Sequence, residues 1–168
     1  MTYGQLLSPH TVSDWALCLV NDALTAANRD PVQRAYVAAG SVAWDDCCGM
    51  LVVAPERVYR SQSFPGEFAD REICDNGWLV LNLLILLVRC VPVVDDRGRA
   101  PSQESLNDAY QNVLEDSAVV WNALQCVSMP DDWDKASLSQ QFVGADGGCV
   151  GVETRVTIGV PQGKWGVC

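Results

Sequence analysis

Residues 78–96 read WLVLNLLILLVRCVPVVDD, and no other part of the chain is so apolar for so long. From Trp78 to Val91 only Asn82 and Arg89 are strongly polar. The run is shorter than the roughly 18–20 apolar residues that cross a bilayer, and Asn82 interrupts it, so a membrane span is not expected. It must be buried on every side, either as a helix or as a strand, and periodicity does not separate the two. Its leucines favour helix. Its ending, Val91-Pro92-Val93-Val94 followed by Asp95-Asp96-Arg97-Gly98, reads as extended chain entering a turn. We read the run as the long central strand of a sheet. Trp78, Val80, Asn82, Leu84, Leu86, Val88 and Cys90 then share one face, and Leu79, Leu81, Leu83, Ile85, Leu87, Arg89 and Val91 the other. Both faces are expected to be covered, by helices of the chain or by a neighbouring subunit.

The flanking sequence supplies two helices. Val12, Trp15, Ala16, Leu19, Val20, Ala23, Leu24 and Ala27 repeat at helical spacing, with Ser8-Pro9 as cap and first residue, or Thr11 and Asp14 as a capping box slightly later. Asn28-Arg29-Asp30-Pro31 ends that helix. The second follows Ser102, with an apolar stripe of Leu106, Ala109, Tyr110, Val113, Leu114, Trp121 and Leu124, and closes at residues 129–133. Extended chain is expected over 33–44, where Tyr36, Val42 and Trp44 share a parity. Met50–Ala54 is a second short strand, which Pro55–Tyr59 continues along a sheet edge. Residues 61–77 read as a long loop, and 134–146 as loosely patterned chain. Val150, Val152, Val156, Ile158 and Val160 alternate with polar residues and glycine as a final strand. Residues 161–168 form a tail. The expected fold is one α+β domain over residues 1–168, an antiparallel or mixed sheet packed by two helices in the order α-β-β-β-α-β.

The net charge of −10 excludes a phosphate-gripping groove, which needs clustered Lys and Arg. Eight cysteines stand at 18, 47, 48, 74, 90, 126, 149 and 168. With no signal-peptide pattern at the N-terminus, they read as thiols in a reducing cytoplasm, with Cys18, Cys90 and Cys126 filling small apolar positions. The cluster Asp45-Asp46-Cys47-Cys48 with Cys149 admits a metal site, a disulfide (vicinal, or a pair such as Cys48–Cys149) or buried free thiols. No C-x-x-C pair exists to strengthen the metal reading, so free thiols and no cofactor are expected. Asp95 and Asp96 read as a solvated turn with local ion pairs rather than paired acid and base. His10, the only imidazole, has no partner to complete a dyad. No catalytic constellation is found, and an enzyme is not expected. Trp15, Trp44, Trp78 and Trp121 lie on expected core faces; Trp133 and Trp165 are candidates for an interface.

Four motifs carry a family resemblance: D-D-C-C-G at 45–49, S-F-P-G at 63–66, R-C-x-P-x-x-D-D-x-G-R-x-P at 89–101, and G-G-C-V-G-x-E at 147–153. Over residues 41–160 the chain resembles small neck proteins of long-tailed phages infecting actinobacteria, encoded among connector and tail genes. Its element order is similar to the tail terminator fold, whose hexameric ring caps the tail tube. The resemblance implies a structural virion subunit at the head–tail junction that assembles in the host cytoplasm. It would contact copies of itself, tail tube protein and other connector proteins, while DNA passes a lumen it does not bind. No membrane contact is implied. The candidate ring interface is Phe64, Phe68, Trp78, Trp133 and Trp165, and the candidate lumen-facing acids are Asp45, Asp46, Asp95 and Asp96. The competing readings are a stopper or adaptor ring, a thiol- or metal-dependent enzyme using residues 45–48 and Cys149, and a host-protein adaptor working through the 61–77 loop.

Overall fold

The 78–90 run is a strand. In the computed structural model, which describes residues 8–44, 49–67, 77–130 and 132–161, two helices and five strands follow one another. They are α1 (Pro9–Ala26), β1 (Arg34–Val37), β2 (Met50–Ser61), β3 (Trp78–Cys90), α2 (Gln103–Cys126), β4 (Asp134–Asp146) and β5 (Cys149–Pro161). The strands make one mixed sheet in the order β1-β2-β3-β5-β4, so β3 is its middle strand. Only the β1–β2 pairing is parallel. The fold is α+β, as expected, with one strand more than expected.

β4 escaped the sequence reading for a physical reason. It is an edge strand with one shared ladder, and a register shift between Lys135 and Leu138 breaks its alternation. Of the side chains on its helix-facing side, Leu138 packs against the core while Phe142 is 53% exposed. The 33–44 expectation also needs correction. Only Arg34–Val37 is a strand, and Ala38, Val42 and Trp44 instead fold across the sheet onto Met50, Val52, Leu86 and Val88. The edge reading of Pro55 holds: β1 pairs only with Met50–Val53, and the ladder between β2 and β3 shifts register between Pro55 and Arg57. That shift is a bulge, where a missing N–H costs the ladder nothing.

Within the chain the two faces of β3 are unequal, and only one of them is covered by helices. Leu81, Leu83, Ile85 and Leu87 lie under the helices, packed with Val12, Ala16, Val20 and Leu24 of α1 and Val120 and Leu124 of α2. All four are at most 1% exposed. The opposite face carries no helix. It is roofed at one end by Trp44 and at the other by Phe64, and each roof rests on a glycine of β5. A Cβ on Gly151 would lie 2.9 Å from Trp44 Cη2, and one on Gly159 would lie 2.5 Å from Phe64 Cδ2. Between the roofs Asn82 and Leu84 are only half-buried.

Helix ends follow from local chemistry. Ser8, not Thr11, caps α1, its Oγ accepting from Thr11 N at 3.2 Å with Pro9 in the first turn. Ser102 caps α2 in the same way, accepting from Ser105 N at 3.1 Å. The buried stripe of α2 is Val113, Asp116, Ser117, Val120 and Leu124. Tyr110 and Leu114, expected inward, are 40% and 55% exposed. α2 has no basic residue in its last turn. The missing charge comes from β4, where Lys135 Nζ donates to the terminal carbonyls of Leu124 and, at 2.8 Å, Gln125. We expect Lys135→Met to lower stability by about 1 kcal/mol, since it strips a charged partner from those carbonyls. Urea unfolding followed by circular dichroism measures this, and an unchanged midpoint would remove the capping role.

Candidate functional site

Three separate segments converge on one buried carboxylate. Asn28 takes a left-handed backbone (φ 53°) just after α1, and the turn presents Arg29 toward α2. Arg89 stands at the end of β3, and Asp116 faces inward from α2. Arg29 Nε donates to Asp116 Oδ1 at 2.6 Å, and Arg89 Nε donates to Asp116 Oδ2 at 2.7 Å. The Asp116 side chain is 3% exposed. Arg29 also reaches Glu115 Oε2 at 2.5 Å and the Asn112 carbonyl at 3.1 Å, while Arg89 Nη2 donates to the Asp30 carbonyl at 2.7 Å. The hydrogen bond that Arg29 donates to Asp116 is the main reason the guanidinium holds its proton above the ordinary arginine value. Glu115 is held below the ordinary glutamate value, first by the bond from Gln111 and then by that from Arg29.

A cleft of about 630 Å³ opens beside this cluster, lined among others by Gln33, Gly49, Cys90, Pro92 and Asn112. Gly49 (φ +90°) lets the chain pass close by, since a Cβ there would lie 3.3 Å from Gln33 N. Its carbonyl accepts from Gln33 N at 2.7 Å, which ties the start of β1 to the cleft wall. Both Asp116 oxygens hold a guanidinium, so this carboxylate is neither a free base nor a free ligand. The cluster clasps the α1–β1 turn, β3 and α2 together. Among the described residues, no three His, Cys, Asp or Glu side chains gather as a metal site would require. Sequence reading missed the clasp because its three members share no spacing. The available signal was an Asp at a stripe position of a helix that buries Val113 and Val120.

The candidate residues named from sequence do not form one site. Asp45, Asp46, Cys47, Cys48, Phe68 and Trp165 lie outside the described residues. Asp95 and Asp96 are exposed. Asp95 closes its own turn, accepting from Arg97 N and Arg99 N at 2.9 Å each and from Arg99 Nε at 2.8 Å. The backbone bond from Arg99 is the first cause of its lowered pKa. The local ion pair expected there is present. Trp133, a candidate interface residue, packs into the core of its own chain. The backbone N–H of Trp133 bonds back to the Pro130 carbonyl at 3.0 Å, and the ring tucks under α1 at 8% exposure, edge-on to Trp15 at 5.5 Å. Phe64 and Trp78 meet each other at 5.4 Å and are half-buried within the chain.

The thiol expectation is corrected as well. Cys90 and Cys149 are each engaged in a disulfide. Cys18 and Cys126 are free but exposed, because they stand on the outer sides of their helices rather than on the packed stripes. Cys48, the partner considered for Cys149, lies outside the described residues.

The unroofed part of the sheet carries a polar grid. Arg155 bonds Glu56 at 3.1 Å and Glu153 at 2.8 Å, and Gln141 donates to Glu153 at 2.6 Å. Asn82, Thr157 and Ser137 form a second string across three strands, at 3.1 and 2.8 Å. The helical layer differs: α1 and α2 contain no Lys or Arg, while Asp14, Asp22, Glu104, Asp108 and Glu115 are all exposed on it. No helix among the described residues is long and apolar enough to cross a membrane. No protein-family model matches the chain, and no curated protein matches its sequence.

Proposed function

We propose that the chain is a structural subunit of the head–tail junction of a long-tailed phage, a ring-forming protein of the tail terminator kind. The observation that carries this reading is the set of four motifs at 45–49, 63–66, 89–101 and 147–153, which resemble phage neck proteins. Three features support it. The α+β architecture, with two helices on one face of a mixed sheet, is compatible with a terminator-like subunit. The clasp around Asp116 spends its charged groups on holding elements together, and the unroofed sheet face is a surface rather than a pocket. The cation-free helical layer is the best candidate for the wall of a DNA passage, because like charge lets a phosphate backbone slide by without gripping it. On this reading the lumen is lined by Asp14, Asp22, Glu104 and Asp108 in preference to Asp95, which is tied into its own turn, and to Glu115, which is paired with Arg29.

The thiol-enzyme alternative loses a member, because Cys149 in a disulfide is neither a nucleophile nor a thiolate ligand. Reconstruction of the purified virion neck tests the proposal. The expected result is a closed ring of this fold between portal and tail tube with α1 and α2 facing the channel. Absence of the chain from purified particles, or a position outside the neck, overturns it.

A further inference from the structure

The sheet has two edges, and they are built differently. On the β1–β2 side the edge is broken up: β1 has four residues, and β2 beyond it carries Pro55, a bulge and the charged residues Glu56, Arg57 and Arg60. Those are the devices that keep an edge from pairing. On the β4 side, the stretch Leu138–Val143 (LSQQFV) is regular, with no charge, proline or glycine, and its register shifts lie outside it.

The direction of its backbone groups follows from the ladder. Val91 N donates to Gly148 O at 2.8 Å, so Cys90 and Cys149 form a non-hydrogen-bonded pair. Cys149, Gly151, Glu153 and Arg155 therefore turn their backbone groups toward β4. Their partners Val143, Gln141 and Ser139 are used up in that ladder. Leu138, Gln140 and Phe142 point their N–H and C=O groups outward, and among the described residues nothing pairs with them.

We propose that this edge takes a second copy of the same strand, antiparallel, with Gln140 opposite Gln140 of the other copy. Only a register that sets outward residues against outward residues completes the bonds. Centring on Gln140 matches Leu138 with Phe142, Gln140 with Gln140 and Phe142 with Leu138, and each pair exchanges two backbone bonds. In antiparallel pairing, opposed residues share a face, so both helical layers lie on one side of a continuous sheet. Phe142 then lands on the partner's Leu138, twice by symmetry. The surroundings fit an apolar contact. Gln140 Nε2 donates to the Ser117 carbonyl of α2 at 3.1 Å, which holds α2 against β4, and α2 carries the exposed Tyr110 and Leu114. Charge selects a second copy as occupant. A chain of net charge −10 repels itself over most of its surface, and along Leu138–Val143 two copies meet without opposing a single charge. This goes beyond the connector reading and leaves the helical layer and unroofed face free for it.

The test is the mass of the purified full-length protein by light scattering and native mass spectrometry, alongside Phe142→Pro and Phe142→Lys. Proline removes an outward N–H that the internal ladder does not use. Lysine keeps the backbone and puts a charge on the strip. Both should fold, as circular dichroism would show, and both should raise the dimer dissociation constant at least about tenfold, a loss on the scale of one or two hydrogen bonds. A wild-type monomer overturns the proposal. So does a dimer or ring whose assembly is the same in both variants, which would place self-association on other surfaces and leave the connector reading intact. Should proline prevent folding, the lysine variant decides alone.

Discussion

Replacing Asp116 by alanine should cost about 3–5 kcal/mol of folding stability, because it leaves two guanidinium groups facing each other with no anion between them. For a domain whose total stability is about 5–15 kcal/mol, that is a loss large enough to unfold much of the population at moderate temperature. The geometry sharpens the expectation. Each carboxylate oxygen serves a different arginine, at 2.6 and 2.7 Å, in a site where the side chain is 3% exposed. Arg29→Met and Arg89→Met should each cost less, since Asp116 keeps one partner. Combining either with Asp116→Ala should cost less than the sum, because the shared carboxylate is removed only once. Chemical unfolding of the wild type, the three single variants and the two double variants decides it. A cost below about 1 kcal/mol for Asp116→Ala would mean that the cluster is ornamental.

The second large effect is an asymmetry between adjacent residues of β3. Ile85→Asp should abolish folding or cost about 4 kcal/mol or more, since Ile85 is fully buried among α1, α2 and the sheet, with no partner for a carboxylate. Leu84→Asp should be milder by at least about 2 kcal/mol, because Leu84 lies half-buried on the unroofed face opposite Arg155. Urea midpoints of the two variants give the comparison. Equal damage would mean that the unroofed face is covered in the isolated protein, as the apolar run alone had implied.

Much of the architecture was readable from residues. The long strand, both helices, their serine caps and the edge position of Pro55 follow from patterns that local physics enforces. What escaped depends on contacts distant in sequence. β4 is half-polar because only one of its sides meets the ladder and little of it meets the core. Trp133 looked like a loop aromatic until the turn at Pro130 folded it under α1. Asp116 reads as surface from composition, and only the arrival of Arg29 and Arg89, 87 and 27 residues away, makes its burial tolerable. Lys135 reads as an ordinary surface cation, yet it completes a helix that ends elsewhere. The candidate site was correspondingly the least legible part: the acidic and cysteine motifs drew attention, while of the clasp's three members only Arg89 lies in one of them.

The strand order has a consequence in time. β3 pairs with β2 on one side and with β5 on the other, and Cys149 follows Cys90 only after α2 and β4. A ribosome adding roughly 5–20 residues per second needs several seconds to make that intervening chain. Throughout that interval the most apolar segment of the protein is half-paired, with an open strand edge and Ile85, Leu87 and their neighbours covered by α1 alone. The final hairpin therefore acts as the closing step of folding. Premature release or slow synthesis anywhere between α2 and β5 lengthens the period in which nascent chains can aggregate through β3.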